Sequence, residues 1–359
     1  MADSKKTAIA LNSNNIKALI NEGHGVKGLS EMDLEILPQE FIQPLEERFN
    51  VDNTLEEYVP VIDISNWSDP NIENMVCDAA EEWGLIRLVN HGISTEVLSN
   101  LRNAAREFFE WPPTEKLKYT INNSPSKNVS LRTSFLPEIE KIHEWHDKLT
   151  FTYVSDEEAL GLWPPICRKE VLEYIKSCEV LTKKLLKILL KRLNVKEIEE
   201  TKHSMLMGTK RVNLNYYPKC PQPELAIGIG RHSDSSTITI LPQGVIGGLW
   251  VRKSESDPWI HVAPINGALV INVGDALEIM SNGRYKSIEH FVTVSKNHNR
   301  ISMPFFAGPT PCAIIGPFEE VLESTGEEPL YKECLYSEYA THFYSKAHRG
   351  KDKIQFVQI

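Results

Sequence analysis

RHSDSSTITIL, residues 231–241, and SIEHFVTV, residues 287–294, decide the fold, because each combines a β-strand pattern with side chains that bind metal ions. The β-branched run TITI at 237–240 is typical of a strand. His232 and Asp234 lie two residues apart, so on a strand they share one face. His290 lies in the second segment. Two histidines and one carboxylate can occupy one face of a non-haem iron octahedron and leave three positions open.

A candidate anion clamp follows the second segment. Arg300 and Ser302 come ten residues after His290, and a guanidinium holds a carboxylate through two parallel hydrogen bonds. If the strands here line one small barrel, residues two apart along a strand point inward together. Such faces carry Arg300, Ser302 and Phe306 in one segment and Asn213, Asn215 and Tyr217 in another.

Each of these patterns also has a structural explanation. A single His-x-Asp is common in proteins, and an arginine such as Arg300 is more often a surface salt-bridge partner than an anion clamp. The combination is more specific than its parts. A metal and a docked dicarboxylic co-substrate together indicate oxygen chemistry.

The strand and helix patterns predict a mixed α+β fold, with a double-stranded β-helix (jelly-roll) core and flanking helices. Eight strand-like segments follow Lys210: RVNLNYY, AIGIG, STITIL, GLWVR, WIHV, ALVINV, SIEHFVTV and RISMPFF. Helices are predicted at 71–83, from an N-cap at Ser94 to Trp111, and at 169–193. The predicted regions are an N-terminal extension (1–58), a helical and strand region packed on the core (59–205), the core (206–312) and a helical C-terminal segment (313–359).

Composition limits the other classes of function. The chain has 359 residues, 41% of them hydrophobic, and a net charge of −10, with no basic stripe that would indicate nucleic-acid binding. Its six cysteines are scattered, which is typical of reduced thiols in the cytoplasm. No apolar run is long enough for a membrane span, and the first residues do not form a signal peptide. A soluble cytoplasmic enzyme is expected, and it is expected to be a monomer.

At these motifs the chain resembles the plant soluble 2-oxoglutarate- and Fe(II)-dependent dioxygenases, over about residues 25–355. The resemblance includes PVIDI, WGLIRLVNHG, NYYPKCPQPEL, the HSD segment, GDALEIMSNGRYKSIEH and RIS. Within that family, GVKGLSE, QPLEERF, TSFLP and NVKEIEETK are most similar to the feruloyl-CoA and 4-coumaroyl-CoA ortho-hydroxylases. One departure is Phe291, which follows His290 where the family usually has arginine.

The resemblance implies a set of ligands and co-substrates. Fe(II) would be held by His232, Asp234 and His290. The distal carboxylate of 2-oxoglutarate would bind Arg300 and Ser302. The hydroxyl of Tyr217 would add a hydrogen bond, and Asn215 would lie near the metal-chelating end. O2 would be the second co-substrate, and ascorbate is a candidate accessory compound.

Substrate residues are predicted from strand parity and from this resemblance. Asn213 and Phe306 are expected to face the open side of the metal, although core packing would equally explain Phe306. Similar proteins form the substrate mouth from the segment that contains Thr133, Phe135 and Trp145. Arg132 is the candidate cation for an anionic substrate tail, against the alternative of an ordinary exposed arginine.

The leading hypothesis is ortho-hydroxylation of a hydroxycinnamoyl-CoA, followed by isomerisation and lactonisation to a coumarin. An alternative with the same chemistry is hydroxylation, O-demethylation or desaturation of another plant metabolite, such as a coumarin, alkaloid or flavonoid. Two alternatives from other classes are a non-catalytic metal-binding barrel and a zinc hydrolase. Neither of these needs a dicarboxylate clamp.

Overall fold

Helices and three short strands form the N-terminal part of the computed structural model. The structure describes residues 13–49, 54–55, 58–135, 140–195, 200–348 and 350–359. The elements are α1 (Ser13–Asn21), α2 (Gly25–Glu31), β1 (Thr54–Leu55), β2 (Val61–Asp63), α3 (Pro70–Glu82) and β3 (Leu85–Val89). Residues 1–12 and several between 50 and 57, all in the predicted N-terminal extension, lie outside the described residues.

Helix α3 begins and ends where its sequence predicts. Asp69 accepts a hydrogen bond from the backbone N–H of Asn71, and Pro70 occupies the first turn, where its missing N–H costs nothing. Gly84 then turns the chain into β3 with a φ of +67°. A Cβ at this position would lie 1.9 Å from the carbonyl oxygen of Lys286, so only glycine fits.

The middle of the chain supplies the long helices and two further strands. They are α4 (Thr95–Glu110), α5 (Pro113–Lys116), β4 (Val129–Thr133), β5 (Asp147–Tyr153), α6 (Asp156–Leu162), α7 (Arg168–Arg192) and α8 (Glu200–Met207). The predicted helices at 95–111 and 169–193 are confirmed within a residue or two. Helix α7 buries its apolar face, and its Tyr174 hydroxyl donates a 3.0 Å hydrogen bond to the carbonyl of Met303.

Nine strands and one helix follow between residues 209 and 308. They are β6 (Thr209–Tyr217), β7 (Ile229–His232), β8 (Ile238–Pro242), β9 (Leu249–Arg252), β10 (Trp259–His261), β11 (Leu269–Val273), α9 (Asp275–Met280), β12 (Glu289–Val292), β13 (Arg300–Ser302) and β14 (Phe305–Gly308). The segment RISMPFF, predicted as one strand, forms two, because Pro304 cannot donate a ladder hydrogen bond.

The predicted strand ALVINV is confirmed as β11, and a short helix that was not predicted follows it. Leu269–Val273 is extended, and α9 begins at Asp275. Gly274 precedes the helix, and a Cβ there would lie 1.9 Å from the carbonyl oxygen of Ser236. The apolar residues after Gly274 are buried as a helix. A short run of apolar residues is compatible with a buried strand or a buried helix, so the sequence pattern could not distinguish the two.

The C-terminal part returns to helices, as predicted, and adds a small strand pair. Its elements are β15 (Ile314–Ile315), α10 (Glu319–Thr325), β16 (Cys334–Leu335) and α11 (Tyr336–Tyr344). In the described part of the chain, no helix is long and apolar enough to cross a membrane.

Two larger sheets form the core. One has the strand order β1-β10-β9-β12-β7, and the other runs β2-β3-β11-β8-β14-β6-β5-β4, with β13 also paired to β6. Helices α4 and α7 pack against the second sheet in the main apolar core. This is the predicted jelly-roll with flanking helices. Strands β2, β3, β4 and β5 come from the predicted region 59–205. In the second sheet they lie on both sides of the strands from the predicted core region.

We expect Ser94→Ala to lower the free energy of unfolding by about 1 kcal/mol, because Ser94 caps α4. Its Oγ accepts a 3.1 Å hydrogen bond from the backbone N–H of Val97. Urea denaturation would measure the loss. The matched control is Ser99→Ala in the same helix, where the exposed hydroxyl donates only to the Glu96 carbonyl. Equal losses in both variants would contradict the capping role.

Candidate active site

The three predicted metal ligands come together between β7 and β12. His232 ends β7 and pairs directly with His290 in the antiparallel ladder, and Asp234 follows two residues later. The Nε2 atoms of His232 and His290 lie 3.9 and 3.8 Å from Asp234 Oδ1. One ligand atom from each residue lies within 4.8 Å of the others, and all three side chains are buried. This arrangement fits one metal ion.

Backbone carbonyls orient both histidines. The Nδ1 of His232 lies 2.8 Å from the carbonyl oxygen of Gly230, and that of His290 lies 3.1 Å from the carbonyl oxygen of Ile288. A proton on Nδ1 satisfies each carbonyl and leaves Nε2 as the metal-binding atom. Phe291, which stands where the family usually has arginine, takes no part in orienting His290, because the Ile288 carbonyl does so. The Phe291 side chain packs on Trp259, with ring centroids 4.5 Å apart.

The charge states at this site suit a cation. Burial lowers the pKa of His232 well below its ordinary value, and the neighbouring His290 and His348 lower it further. Burial by itself would raise the pKa of Asp234, but His290 and His232 bring it below its ordinary value. A metal ion binds a neutral imidazole and an ionised carboxylate, so the pKa shifts of His232 and Asp234 both favour metal binding.

A buried guanidinium lies in the same cavity. Arg300 pairs with Tyr217 across β13 and β6, and Ser302 pairs with Asn215. The Ser302 hydroxyl lies 3.2 Å from both the Tyr217 hydroxyl and the Asn215 amide nitrogen. Arg300 is 4% exposed, and its Nε and both Nη atoms lack a hydrogen-bond partner among the described residues. A guanidinium is costly to bury without an anion, so the site fits a carboxylate.

The cavity brings together most of the predicted residues. Its walls include His232, Asp234, His290, Arg300, Ser302, Tyr217, Asn215, Asn213, Phe306 and Phe135. The parity argument for the faces of β6, β13 and β14 therefore placed these side chains correctly. Arg132 does not line the cavity itself, but its direct cross-strand partner Lys148 does.

Two predicted substrate residues lie elsewhere. Trp145 is fully buried against Phe41, with ring centroids 5.0 Å apart, and its indole N–H donates to the carbonyl of Pro218. Thr133 is on the opposite face of β4 from Arg132, and its hydroxyl donates a 2.6 Å hydrogen bond to Asp147. Neither residue lines the cavity that contains the metal ligands, because both hold the N-terminal segment against the sheet.

Several cavity residues were not predicted from the sequence. His348 stacks on His232 and on Phe135, with ring centroids 4.3 and 3.6 Å apart, and its Nδ1 lies 2.7 Å from Glu144 Oε1. No motif marks His348, since it comes from an irregular C-terminal segment. Lys148 could have been found from the alternation of β5, but only if the facing strand had been known.

Comparison with known proteins agrees with this geometry. The sequence profile of the 2OG-Fe(II) oxygenase superfamily matches residues 209–309, and that of the non-haem dioxygenase in morphine synthesis N-terminal region matches residues 59–166. A bi-functional coumaroyl CoA and feruloyl CoA ortho-hydroxylase of Ipomoea batatas is 55% identical, over 95% of each chain. Feruloyl CoA ortho-hydroxylase 2 of Arabidopsis thaliana is 52% identical, again over 95% of each chain.

A solved structure is also similar. The crystal structure of JOX2 in complex with 2OG, Fe and JA has a TM-score of 0.81 and 31% sequence identity, and the match covers 93% of this chain and 97% of that one. The chain therefore belongs to the 2OG-Fe(II) oxygenase superfamily. It is an oxidoreductase that uses Fe(II), held by His232, Asp234 and His290, and 2-oxoglutarate. The alternatives of a non-catalytic barrel and a zinc hydrolase are set aside.

We expect Asp234→Ala to abolish turnover and to weaken Fe(II) binding by at least ten-fold, because only two protein ligands remain. Equilibrium dialysis against Fe(II) under nitrogen would measure the affinity. The control is Asn272→Ala, which removes only the amide 3.3 Å from Asp234 Oδ2. The ligand assignment would be contradicted if Asp234→Ala bound Fe(II) as tightly as the unmodified chain.

Proposed function

We propose that the chain hydroxylates the ring carbon ortho to the propenoyl side chain of a hydroxycinnamoyl-CoA, with feruloyl-CoA or 4-coumaroyl-CoA as substrate. The observation that carries the proposal is full-length identity of 52–55% to proteins named for this activity. The cavity adds physical support, since it places aromatic side chains and unpartnered cations beside the metal ligands.

We propose that Arg300 and Ser302 bind the distal carboxylate of 2-oxoglutarate. The three guanidinium nitrogens of Arg300 that lack partners can donate to both carboxylate oxygens. The Tyr217 hydroxyl, next to Ser302, adds a donor. Asn215, which pairs directly with Ser302 across β13 and β6, would lie toward the metal-chelating end of the co-substrate. A diacid bound in this way has a fixed orientation before the aromatic substrate enters.

We propose that Phe306 and Phe135 hold the aromatic ring and that Asn213 contacts a polar substituent. Phe306 lines the cavity beneath the guanidinium of Arg211, and the carbonyl oxygen of the Asn213 side chain is buried without a partner in the described chain. Faces of aromatic rings pack well on a planar substrate. A buried amide oxygen without a partner favours a ligand that donates a hydrogen bond, such as a phenol.

The bound Fe(II) supplies the activation of O2 that none of the side chains can perform. Overall, the aromatic C–H bond becomes C–OH, 2-oxoglutarate becomes succinate and CO2, and the two atoms of O2 end in the phenol and in succinate. The new hydroxyl lies ortho to the propenoyl chain. After trans/cis isomerisation, its oxygen can attack the thioester carbonyl and release the CoA thiol, which gives a coumarin.

A second candidate with the same chemistry is oxidation of another plant metabolite. Substrate choice in a barrel of this kind depends on the side chains and loops around the open side, and not on the metal ligands. We also propose that the chain is cytoplasmic and monomeric. Its scattered, unpaired cysteines support the cytoplasmic location. Cell fractionation would test the location, and light scattering would test the oligomeric state.

We expect Arg300→Lys to raise the Michaelis constant for 2-oxoglutarate roughly ten-fold or more, a loss of about 1 to 3 kcal/mol for a charge-assisted bond. Lysine keeps the charge but cannot form two parallel hydrogen bonds. The Michaelis constant for the aromatic substrate should change much less. Steady-state assays that vary one substrate at a time would measure both. An unchanged constant for 2-oxoglutarate would place the clamp elsewhere.

We expect feruloyl-CoA to be hydroxylated at the ortho carbon and free ferulic acid not to be hydroxylated. The cavity that contains Phe306 and Phe135 also contains the cations Lys148 and Arg211, which suit a substrate with a longer anionic tail. Succinate release and product mass, measured with each compound, decide the point. Turnover of an uncharged polycyclic metabolite, with no response to either ferulate compound, would favour the second candidate.

A further inference from the structure

A row of directly paired residues crosses four strands from the co-substrate clamp to the sheet edge. Ser302 on β13 pairs with Asn215 on β6, which pairs with Lys148 on β5, which pairs with Arg132 on β4. Directly paired residues place their side chains on the same face of a sheet. Three strand spacings separate Ser302 from Arg132, a distance of roughly 14 Å. The row leads outward from the metal site along the inner face.

Lys148 has an unusual environment for a lysine. It is half-buried in the cavity wall, and its Nζ lies 4.9 Å above the ring of Phe135. In the described chain it forms neither a hydrogen bond nor an ion pair. Burial lowers its pKa to about 8, an effect that the charge of Glu144 opposes and the charges of Arg211 and Arg132 increase. Lys148 is still mostly protonated at neutral pH.

A neighbouring carboxylate, Glu144, is already engaged through one of its two oxygens. Glu144 Oε1 accepts a hydrogen bond from the backbone N–H of Gly230 and lies 2.7 Å from the imidazole Nδ1 of His348. It fixes the backbone of β7 beside the metal ligand His232. Glu144 therefore cannot turn toward Lys148 without giving up these contacts.

A second cation, Arg211, faces the same cavity from β6. One of its Nη atoms donates a 2.7 Å hydrogen bond to the Tyr344 hydroxyl, and the guanidinium lies 4.7 Å above the Phe306 ring. Its Nε is buried without a partner among the described residues, and in that part of the chain its guanidinium donates to a tyrosine hydroxyl and not to a carboxylate. Arg300 and the metal account for the two carboxylates of 2-oxoglutarate. Lys148 and Arg211 therefore remain for another anion.

We propose that Lys148, flanked by Arg211 and Arg132, is an anion subsite that binds the phosphate groups of the coenzyme A portion of the substrate. The proposal rests on the proposed function and names where the tail of that substrate lies. Lysine ammonium groups bind phosphate as point charges, without a fixed geometry, which suits a flexible tail. The ring stays near the metal while the tail follows the paired row outward and leaves the protein over the edge strand β4.

Charge and topology support this direction. The chain carries a net charge of −10, which repels an anionic substrate at long range, so local cations must offset that repulsion at the entrance. β4 is the last strand of its sheet. Beyond β4 the described residues add only a single parallel bridge between Thr120 and Leu131, so the row of paired residues ends at the edge of the sheet.

The test compares feruloyl-CoA with feruloyl-N-acetylcysteamine, which has the same thioester and ring but no phosphates. In Lys148→Met, we expect the Michaelis constant for feruloyl-CoA to rise roughly ten-fold, as for one lost charge-assisted contact. The turnover number for feruloyl-CoA and both constants for the truncated thioester should stay within about two-fold. Lys148→Arg, which retains the charge, should restore most of the affinity.

The matched control is Lys183→Met, which removes a lysine on α7 that is paired with Glu179 and faces away from the cavity. It should leave every constant unchanged. Equal effects of Lys148→Met on both thioesters would overturn the proposal, because the shared acyl portion would then be the part affected. Unchanged kinetics with feruloyl-CoA would overturn it as well.

Binding of coenzyme A alone separates this proposal from the proposed function. Calorimetry with the Fe(II)- and 2-oxoglutarate-loaded chain under nitrogen should show binding of coenzyme A that weakens roughly ten-fold in Lys148→Met and weakens with added salt. Absence of binding to the unmodified chain would overturn the subsite. Binding that depends on Lys148, without turnover of feruloyl-CoA, would retain the subsite and reject the proposed reaction.

Discussion

The antiparallel pairing of β7 with β12 is the constraint on which the active site depends. It places His232 directly opposite His290, although these residues are far apart in the sequence. Because side chains alternate along a strand, a shift of one residue would turn one histidine away from the metal. The pair is held in place from both sides, by β9 on the far edge of β12 and by the hydrogen bond from Gly230 to Glu144. The geometry of the metal site thus follows from strand register.

A second consequence of register is the separation of two cationic side chains, Arg300 and Lys148, on one sheet face. Arg300 lies deep in the cavity, where its guanidinium nitrogens have no partner among the described residues, whereas Lys148 lies two strands away from Ser302. Buried cations repel each other, so spacing them across strands lowers the cost of having both in one cavity. The same spacing can keep a diacid and a larger anionic ligand apart.

The sequence predicted the residues whose positions depend on local pattern. Strand alternation placed Asn213, Asn215 and Tyr217 on one face, helical spacing of apolar residues located α3, and the N-cap Ser94 located the start of α4. Local pattern could not place residues whose role depends on distant partners. Thr133 and Arg132 are neighbours, yet only the pairing of β4 with β5 shows which one faces the cavity side. His348 illustrates the same limit, since its position next to His232 is set by folding of the C-terminal segment over the barrel.

That C-terminal contact bears on the order of assembly. The backbone N–H of Gly350 donates to the carbonyl of Arg231, one residue before the metal ligand His232, and His348 stacks on that ligand. During synthesis on the ribosome, the barrel strands emerge well before these residues. The contacts of His348 and Gly350 around His232 can therefore form only after residue 350 has left the exit tunnel, so the packing around this ligand is completed late in the synthesis of each chain.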